Sequence, residues 1–182
     1  LNSATVSTGA MLIAMLLGSL VAFALNRFDF FGKSTVNLLI VLPIALPGVV
    51  TGVAFSNTFS NFLTPAGFQI GYFGMIVAHS TICIVMVFNN VFARLKRMNP
   101  SLQEASMDLG QGLWGTFRLV TVPQFRTAFA AGALLAFALS FDEVVITIFT
   151  ALPGVDTLPL WILKEMARPN QASVVNVVAT VV

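Results

Sequence analysis

Two adjacent carboxylates, Asp142 and Glu143, lie inside an otherwise apolar run from Leu134 to Ala151. Ionisable side chains at membrane depth are costly and usually face a bundle interior or a water-filled cavity. Carboxylates are counter-groups for cations, so this pair fits a pathway for a positively charged solute. Because adjacent helix residues point about 100° apart, we expect one acid to line the pathway. The other would pair with a neighbouring helix or chain.

Two further roles are open to this acid pair. It could be structural, with its oxygens satisfied by Ser or Thr hydroxyls or by backbone amides freed at a helix break. It could also help to dock a binding protein outside the membrane. The sequence leaves open which of the two acids faces the pathway.

The composition around these acids is that of an integral membrane protein. The chain of 182 residues is 57% hydrophobic and only 9% charged, whereas soluble domains carry about 25% charged residues. A net charge of +2 is too small to indicate nucleic-acid binding. The single cysteine, Cys83, excludes an internal disulfide and a cysteine-based zinc site. The single histidine, His79, has no cysteine or acid at metal-ligand spacing, so we expect it to pack or to hydrogen-bond between helices.

The apolar pattern predicts an all-α, polytopic transmembrane helical bundle, with residues 1–182 as a single transmembrane domain. A span needs about 20 apolar residues, and the pattern accommodates about five spans. Four of them are Ala4–Leu25, a segment after Ser34, Tyr72–Phe92 and Thr127–Thr150, and the fifth is represented by a run after Gln171 that is too short to span by itself. The second span carries Pro43, Pro47, Gly48 and Gly52, which predict a kinked or broken helix. Gly48 and Gly52 also have the spacing that permits close helix contact.

Basic residues are unevenly divided between the two ends of these spans. One end receives Arg27, Lys33, Arg94, Lys96, Arg97, Arg118 and Arg126, and the other receives only Lys164 and Arg168. The positive-inside rule therefore places the Arg94–Arg126 segment in the cytoplasm. The Asn61–Gly71 loop and the Leu152–Gln171 connection would face the outside.

The hydrophilic segment at residues 99–123 reads NPSLQEASMDLGQGLWGTFRLVTVP. Ser101 and Glu104 have the spacing of a capping box, which predicts a short helix that begins near Ser101. Gly110 and Gly112 should end or bend that helix.

This segment resembles the cytoplasmic signature of bacterial ABC importer permeases, the binding-protein-dependent inner-membrane components. That signature is Glu-Ala-Ala, three residues, Gly, nine residues, then Ile-x-Leu-Pro. The matching positions here are Glu104, Ala105, Ser106, Gly110, Val120, Val122 and Pro123. Serine for the third alanine and valines for isoleucine and leucine are departures of similar size. In that family the segment is a coupling helix that docks on an ATPase subunit, and small side chains at Ala105 and Ser106 would allow close approach.

Within this family the chain is most similar to the spermidine/putrescine permease group. The similar stretches are SFDEVVITIFTA (Ser140–Ala151), TLPLWI (Thr157–Ile162) and the NSATVS that opens the first span. The resemblance implies a non-enzymatic permease that moves polyamines across the bacterial inner membrane by alternating access. It also implies six spans in a full chain, of which this sequence would be a fragment.

The resemblance further implies the partners: a dimer of ATPase subunits, a second permease subunit that is usually a different chain, and an extracytoplasmic substrate-binding protein. This chain would bind no cofactor, since ATP and Mg²⁺ would be used by the ATPase. The stretch FFGKST (Phe30–Thr35) ends like a phosphate-binding loop, but Arg27 stands where the motif needs a glycine.

Two alternative functions are open. The same architecture could carry another solute, although an anion site would call for basic residues within the spans. An ion-coupled secondary transporter could use the acids as a relay, but it would have no need of the coupling pattern.

Overall fold

The computed structural model describes residues 1–65, 67, 71–151, 154–168 and 172–181. Within these residues all regular secondary structure is helical, as predicted. The helices are α1 (Asn2–Arg27), α2 (Lys33–Ala45), α3 (Gly48–Thr58), α4 (Tyr72–Lys96), α5 (Ser101–Asp108), α6 (Leu113–Thr116), α7 (Val122–Asp142), α8 (Val145–Thr150), α9 (Leu158–Met166) and α10 (Ala172–Val181). A π-helical segment, Phe59–Leu63, continues α3, and another, Phe117–Thr121, joins α6 to α7.

Three helical stretches of the described chain are long and apolar enough to cross a membrane: α1, α4 and the continuous run Leu113–Asp142. The first and third predicted spans are thereby confirmed. The fourth differs from its prediction, because the helix stops at Asp142 instead of continuing to Thr150. The chain leaves the helical conformation at Glu143, and α8 starts as a separate helix at Val145.

The predicted break in the second span is confirmed. Helices α2 and α3 are bent by 104° relative to each other, and together they can form one broken span. Leu46 adopts an extended conformation, with φ −82° and ψ 137°. The ring of Pro47 disfavours the helical region for the residue before it, so the chain turns at Leu46–Pro47.

Helices α1, α4 and α7 form the packed centre of the molecule, and α4 is the most deeply buried of the three. Small residues bring the backbones close together. A Cβ atom at Gly18 of α1 would lie 2.9 Å from the Ile84 carbonyl oxygen and 3.1 Å from the Phe88 nitrogen of α4. A Cβ atom at Gly132 of α7 would lie 3.3 Å from Val87 Cα. Such contacts replace the hydrophobic effect as the main attraction between helices in a bilayer.

Contacts between helix ends bring together the segments that the distribution of Lys and Arg assigned to the same side of the membrane. At one end, Asn2 donates to the Asp156 carbonyl at 3.0 Å and accepts from the Tyr72 hydroxyl at 2.8 Å. At the other end, Phe23, Leu95 and Gln103 line a common cavity beside the coupling segment. Which end faces the cytoplasm stays a prediction. Of the two expected outer segments, residues 66, 68–70, 152, 153 and 169–171 lie outside the described part.

We expect Gly18→Val to destabilise the bundle, because the added side chain meets backbone atoms of α4 that cannot rotate away. Overpacking of this kind costs about 1–3 kcal/mol, so the apparent unfolding temperature of the purified transporter should fall. Gly112→Val is the matched control, since nothing lies within 4 Å of a Cβ at Gly112 and its φ is −70°. Equal unfolding temperatures for both variants would contradict the close approach of α1 to α4.

Candidate functional site

The acid pair lies at the break between α7 and α8. Asp142 is the last residue of α7, and Glu143 has an extended conformation, with φ −73° and ψ 114°. The Glu143 Oε1 atom accepts a hydrogen bond from the Ile146 backbone N–H at 3.0 Å. The first N–H groups of a helix have no partner within the helix, so this carboxylate caps α8. The structural role considered for the pair therefore has a specific geometry at Glu143.

Asp142 has a different environment. Its side chain is exposed on the surface of the chain, whereas that of Glu143 is half-buried. The carboxyl end of a helix carries partial negative charge on its free carbonyls, and the Asp142 carboxylate adds to it. The end of α7 is therefore a place that attracts cations. The two acids have different surroundings, but not for the predicted reason, since the helix ends at Asp142 and Glu143 lies outside it. Their roles toward a substrate stay predictions.

A second helix break faces the first. A Cβ atom at Gly48, which directly follows the break at Pro47, would lie 3.3 Å from Val145 Cγ1 at the start of α8. A Cβ atom at Gly52 would lie 2.6 Å from Phe149 Cδ2. The predicted close contact at Gly48 and Gly52 is confirmed, and its partner is α8. Interrupted helices at membrane depth occur where backbone is buried in protein or lines a cavity, and in other transporters such breaks form substrate sites.

The buried side chain of His79 on α4 connects the two sides of the α7–α8 break. Its Nδ1 atom lies 2.9 Å from Ser140 Oγ on α7, and its Nε2 atom lies 3.0 Å from Thr147 Oγ1 on α8. The Thr147 hydroxyl also donates to the Glu143 carbonyl at 2.7 Å. The expected hydrogen-bonding role of His79 is confirmed, and the described residues contain no cluster of three metal-binding side chains.

Ser140 and Thr147 were not predicted to take part in this arrangement. The available signal was their position: two polar residues, seven apart, flank the acid pair in an apolar run. Cys83, one turn of α4 beyond His79, is buried and donates to the Ala136 carbonyl at 3.3 Å.

The coupling segment begins with a helix at Ser101, as predicted, but its cap differs from the predicted one. The N-cap position is held by Pro100, and Ser101 makes no side-chain capping bond. Instead, the Ser101 backbone N–H donates to Asn99 Oδ1 at 3.1 Å. The prediction of a capping box is therefore wrong, because Ser101 is the first residue of the helix and not its N-cap. The Glu104 side chain is exposed.

The predicted end of α5 at Gly110 is confirmed. Gly110 has a φ of +86°, a left-handed conformation that favours glycine. Its N–H donates to the Met107 carbonyl at 2.9 Å, and the Gln111 N–H donates to the Ser106 carbonyl at 3.2 Å. This pair of bonds is the Schellman motif, which satisfies carbonyls left free at a helix end.

The small residues of the signature face in different directions. Ala105 is exposed, as expected for a surface that a partner approaches closely. Ser106 is buried, and its Oγ lies 3.0 Å from Thr116 Oγ1. Ser106 therefore packs inside its own chain, which corrects the expectation that it faces a partner.

Pro123 is exposed and is the second residue of α7, two positions after the π-helical segment Phe117–Thr121 ends. A proline within a helix leaves the carbonyl four residues earlier without its donor. That carbonyl belongs to Leu119, which lies in the π-helical segment where the hydrogen-bond pattern of the helix changes.

Comparisons with known proteins identify the family of the chain. The family model described as "binding-protein-dependent transport system inner membrane component" matches residues 14–182. The spermidine/putrescine transport system permease protein PotC of Escherichia coli (strain K12) is 32% identical over 180 residues, which cover 99% of this chain and 66% of that protein. The putrescine transport system permease protein PotI of the same strain is 32% identical over 183 residues, which cover 99% of this chain and 65% of that protein.

A third relative, the PotC protein of Haemophilus influenzae, is 29% identical over 181 residues, or 68% of its length. The chain spans about two thirds of the length of these relatives. The family resemblance found in residues 99–123 is thus confirmed, and the match extends over nearly the whole chain. The chain belongs to the family of binding-protein-dependent transport system inner membrane components.

Proposed function

We propose that this chain is the permease subunit of an ATP-driven importer that moves polyamines such as putrescine and spermidine across the bacterial inner membrane. The observation that carries the proposal is the pair of acids Asp142 and Glu143 at the α7–α8 break, which faces the break between α2 and α3. The printed names of the relatives support a polyamine substrate. The chain would have no catalytic site and no cofactor of its own.

A polyamine suits this arrangement because it is a flexible chain of separated ammonium groups. The exposed carboxylate of Asp142 and the carbonyls at the end of α7 would hold one ammonium group. The Glu143 carboxylate would lie beside it while its Oε1 atom caps α8. An ammonium ion that leaves water needs such counter-charges, since its desolvation is costly. Neither break carries a basic residue, because residues 43–48 and 142–145 contain no Lys or Arg.

Energy would enter through the exposed surface of α5 and α6. Besides Ala105, this surface presents Leu109, Leu113 and Trp114, which are 85%, 67% and 72% exposed. Exposed apolar patches outside a membrane indicate contact with another protein. We propose that an ATPase subunit docks here, as one of a dimer that uses ATP and Mg²⁺. The buried Ser106–Thr116 bond would hold α5 to α6, so that the pair moves as one body.

The remaining partners in this proposal are a second permease subunit, of a different sequence, and an extracytoplasmic substrate-binding protein. The binding protein would deliver substrate to a cavity between the two permeases. ATPase closure would then rock the spans between outward-open and inward-open states. Another solute carried by the same architecture is the first competing function. An ion-coupled secondary transporter is the second, and it leaves the apolar surface of α5 and α6 unexplained.

Uptake of radiolabelled putrescine and spermidine by the complete transporter, in a strain without its own polyamine transport, tests the proposal. We expect Asp142→Asn and Glu143→Gln each to lower uptake by about tenfold or more, the range for loss of one charge-assisted hydrogen bond. Assembly with the ATPase should be unchanged. Normal uptake in both single variants would rule out the acid pair as the substrate site.

Asp29→Asn is the matched control for these two variants. Asp29 is exposed in the loop between α1 and α2 and pairs with Lys33 Nζ at 2.8 Å. The hydrogen bond from Lys33 lowers the pKa of Asp29 below its ordinary value, so Asp29→Asn removes a negative charge that is present at neutral pH. An exposed pair contributes little to stability, and we expect uptake at the wild-type rate.

The capping role of Glu143 can be separated from its charge by two substitutions. Glu143→Gln keeps an acceptor oxygen for the Ile146 N–H, whereas Glu143→Ala removes it. Loss of a helix cap costs about 1 kcal/mol, so we expect a lower apparent unfolding temperature for Glu143→Ala than for Glu143→Gln. If both variants unfold at the same temperature, the cap at α8 contributes nothing to stability.

The coupling surface is tested by Ala105→Trp. The large side chain should prevent close docking, so most of the ATPase stimulation by loaded binding protein should be lost while the permease still inserts and folds. Ala105→Ser keeps the side chain small and serves as the control. Full stimulation in Ala105→Trp would show that the ATPase does not approach this face of α5.

A further inference from the structure

We infer that His79 is a positioning residue for the candidate substrate site: it holds the α7–α8 break in the one geometry that places Asp142 and Glu143 for a cation. The inference rests on the proposed function for the identity of the cation. It concerns a residue on α4, more than sixty positions away in sequence from the acids that it positions.

The first support is the way that His79 spans the break. Ser140 belongs to α7 before the break, and Thr147 belongs to α8 after it. One imidazole ring contacts both hydroxyls, at 2.9 Å and 3.0 Å, while it is fully buried on the most buried helix of the bundle. A buried imidazole needs a partner for each ring nitrogen, and here the two partners lie on opposite sides of the interruption, so the ring links α7 to α8.

The second support is that the hydrogen bonds have one consistent direction. The Glu143 carbonyl can only accept, so the Thr147 hydroxyl donates its single proton to it. Thr147 Oγ1 must then accept from the Nε2–H of His79. In a neutral ring the Nδ1 atom is left as an acceptor, and it receives the Ser140 hydroxyl proton. Every polar atom of this chain of bonds is satisfied when the ring carries its proton on Nε2.

The third support is the group at which this chain of bonds ends. Glu143 supplies both its carbonyl, which is bonded by Thr147, and its carboxylate, which caps the Ile146 N–H. The two contacts fix the backbone and the side chain of Glu143 together. His79 holds the Thr147 hydroxyl in the rotamer that reaches the carbonyl. Loss of the Nε2 donor would free Thr147, and the break would lose its link to the rigid α4.

Two substitutions distinguish the donor from the volume of the ring. The side-chain amide of Gln reaches about as far as Nε2 and can donate to Thr147, whereas Leu fills the space and donates nothing. Thr147→Val removes the hydroxyl and keeps the shape. The matched control is Thr150→Val, because Thr150 is equally buried on α8 and makes the same kind of bond, to the Ile146 carbonyl at 2.9 Å.

The first measurement needs no substrate: hydrogen–deuterium exchange of residues 145–150 in the complete transporter, reconstituted in lipid nanodiscs. We expect exchange to accelerate about tenfold in His79→Leu and Thr147→Val, because each cuts the link between the break and α4, whereas Thr150→Val removes only a bond within α8. His79→Gln and Thr150→Val should stay near the wild-type rate. Unchanged exchange in His79→Leu would overturn the inference whatever the transporter carries.

The second measurement is the KM for putrescine and spermidine uptake. His79→Leu should raise KM about tenfold, with ATPase assembly and basal ATPase activity retained, and His79→Gln should restore it. The double variant with Thr147→Val should be no worse than the worse single variant, because both remove one connected set of bonds. Additive effects, or an unchanged KM in His79→Leu, would overturn the inference.

The two measurements separate this inference from the proposed function. If the wild-type transporter takes up no polyamine while the exchange results hold, the proposed substrate is wrong and His79 still holds the break. If polyamine uptake is normal in the wild type and in His79→Leu, the proposed function stands and the positioning role of His79 is wrong.

Discussion

The organisation of this protein depends on how polar backbone groups are satisfied where two helices are interrupted at membrane depth. Lipid offers such groups no hydrogen-bond partner, so side chains supply the bonds. At the α7–α8 break the Glu143 carboxylate caps the Ile146 N–H, and Thr147 donates to the Glu143 carbonyl. His79 then ties these groups to α4. Because these bonds involve Glu143, the contacts that stabilise the break also fix the position of a carboxylate.

Small residues allow the helices of the bundle to approach one another closely. Gly18 and Gly132 let α1 and α7 approach α4 closely, and Gly52 lets α3 approach α8. Helix α4 also contacts α2, α7 and α8, which belong to the two interrupted helix pairs, so close packing holds these pairs against one rigid helix. In the proposed transport cycle, the rigid centre would carry the movement of the coupling segment to the breaks, since packed helices move as bodies and do not deform continuously.

Much of this could be predicted from local sequence. Long apolar runs predicted α1 and α4, Pro47 predicted the bend before α3, and Gly110 predicted the end of α5. Each of these depends on a residue and its near neighbours, through hydropathy, a fixed φ or a left-handed conformation. The predictions that differed depended on which of several possible partners a polar group bonds. Ser106 turned inward because Thr116 is there to bond it, and Asn99 displaced the expected cap at Ser101.

The sequence by itself determined that this is a helical membrane protein with an acid pair in an apolar span and a coupling segment of a known family. It could do so because apolar length, charge and motif spacing are properties of the chain alone. Only the tertiary structure decided that the fourth span breaks at that pair, that Glu143 caps while Asp142 stays exposed, and that His79 joins both sides. Residues 79, 140 and 147 become neighbours only when α4, α7 and α8 pack together, and no local pattern encodes that contact.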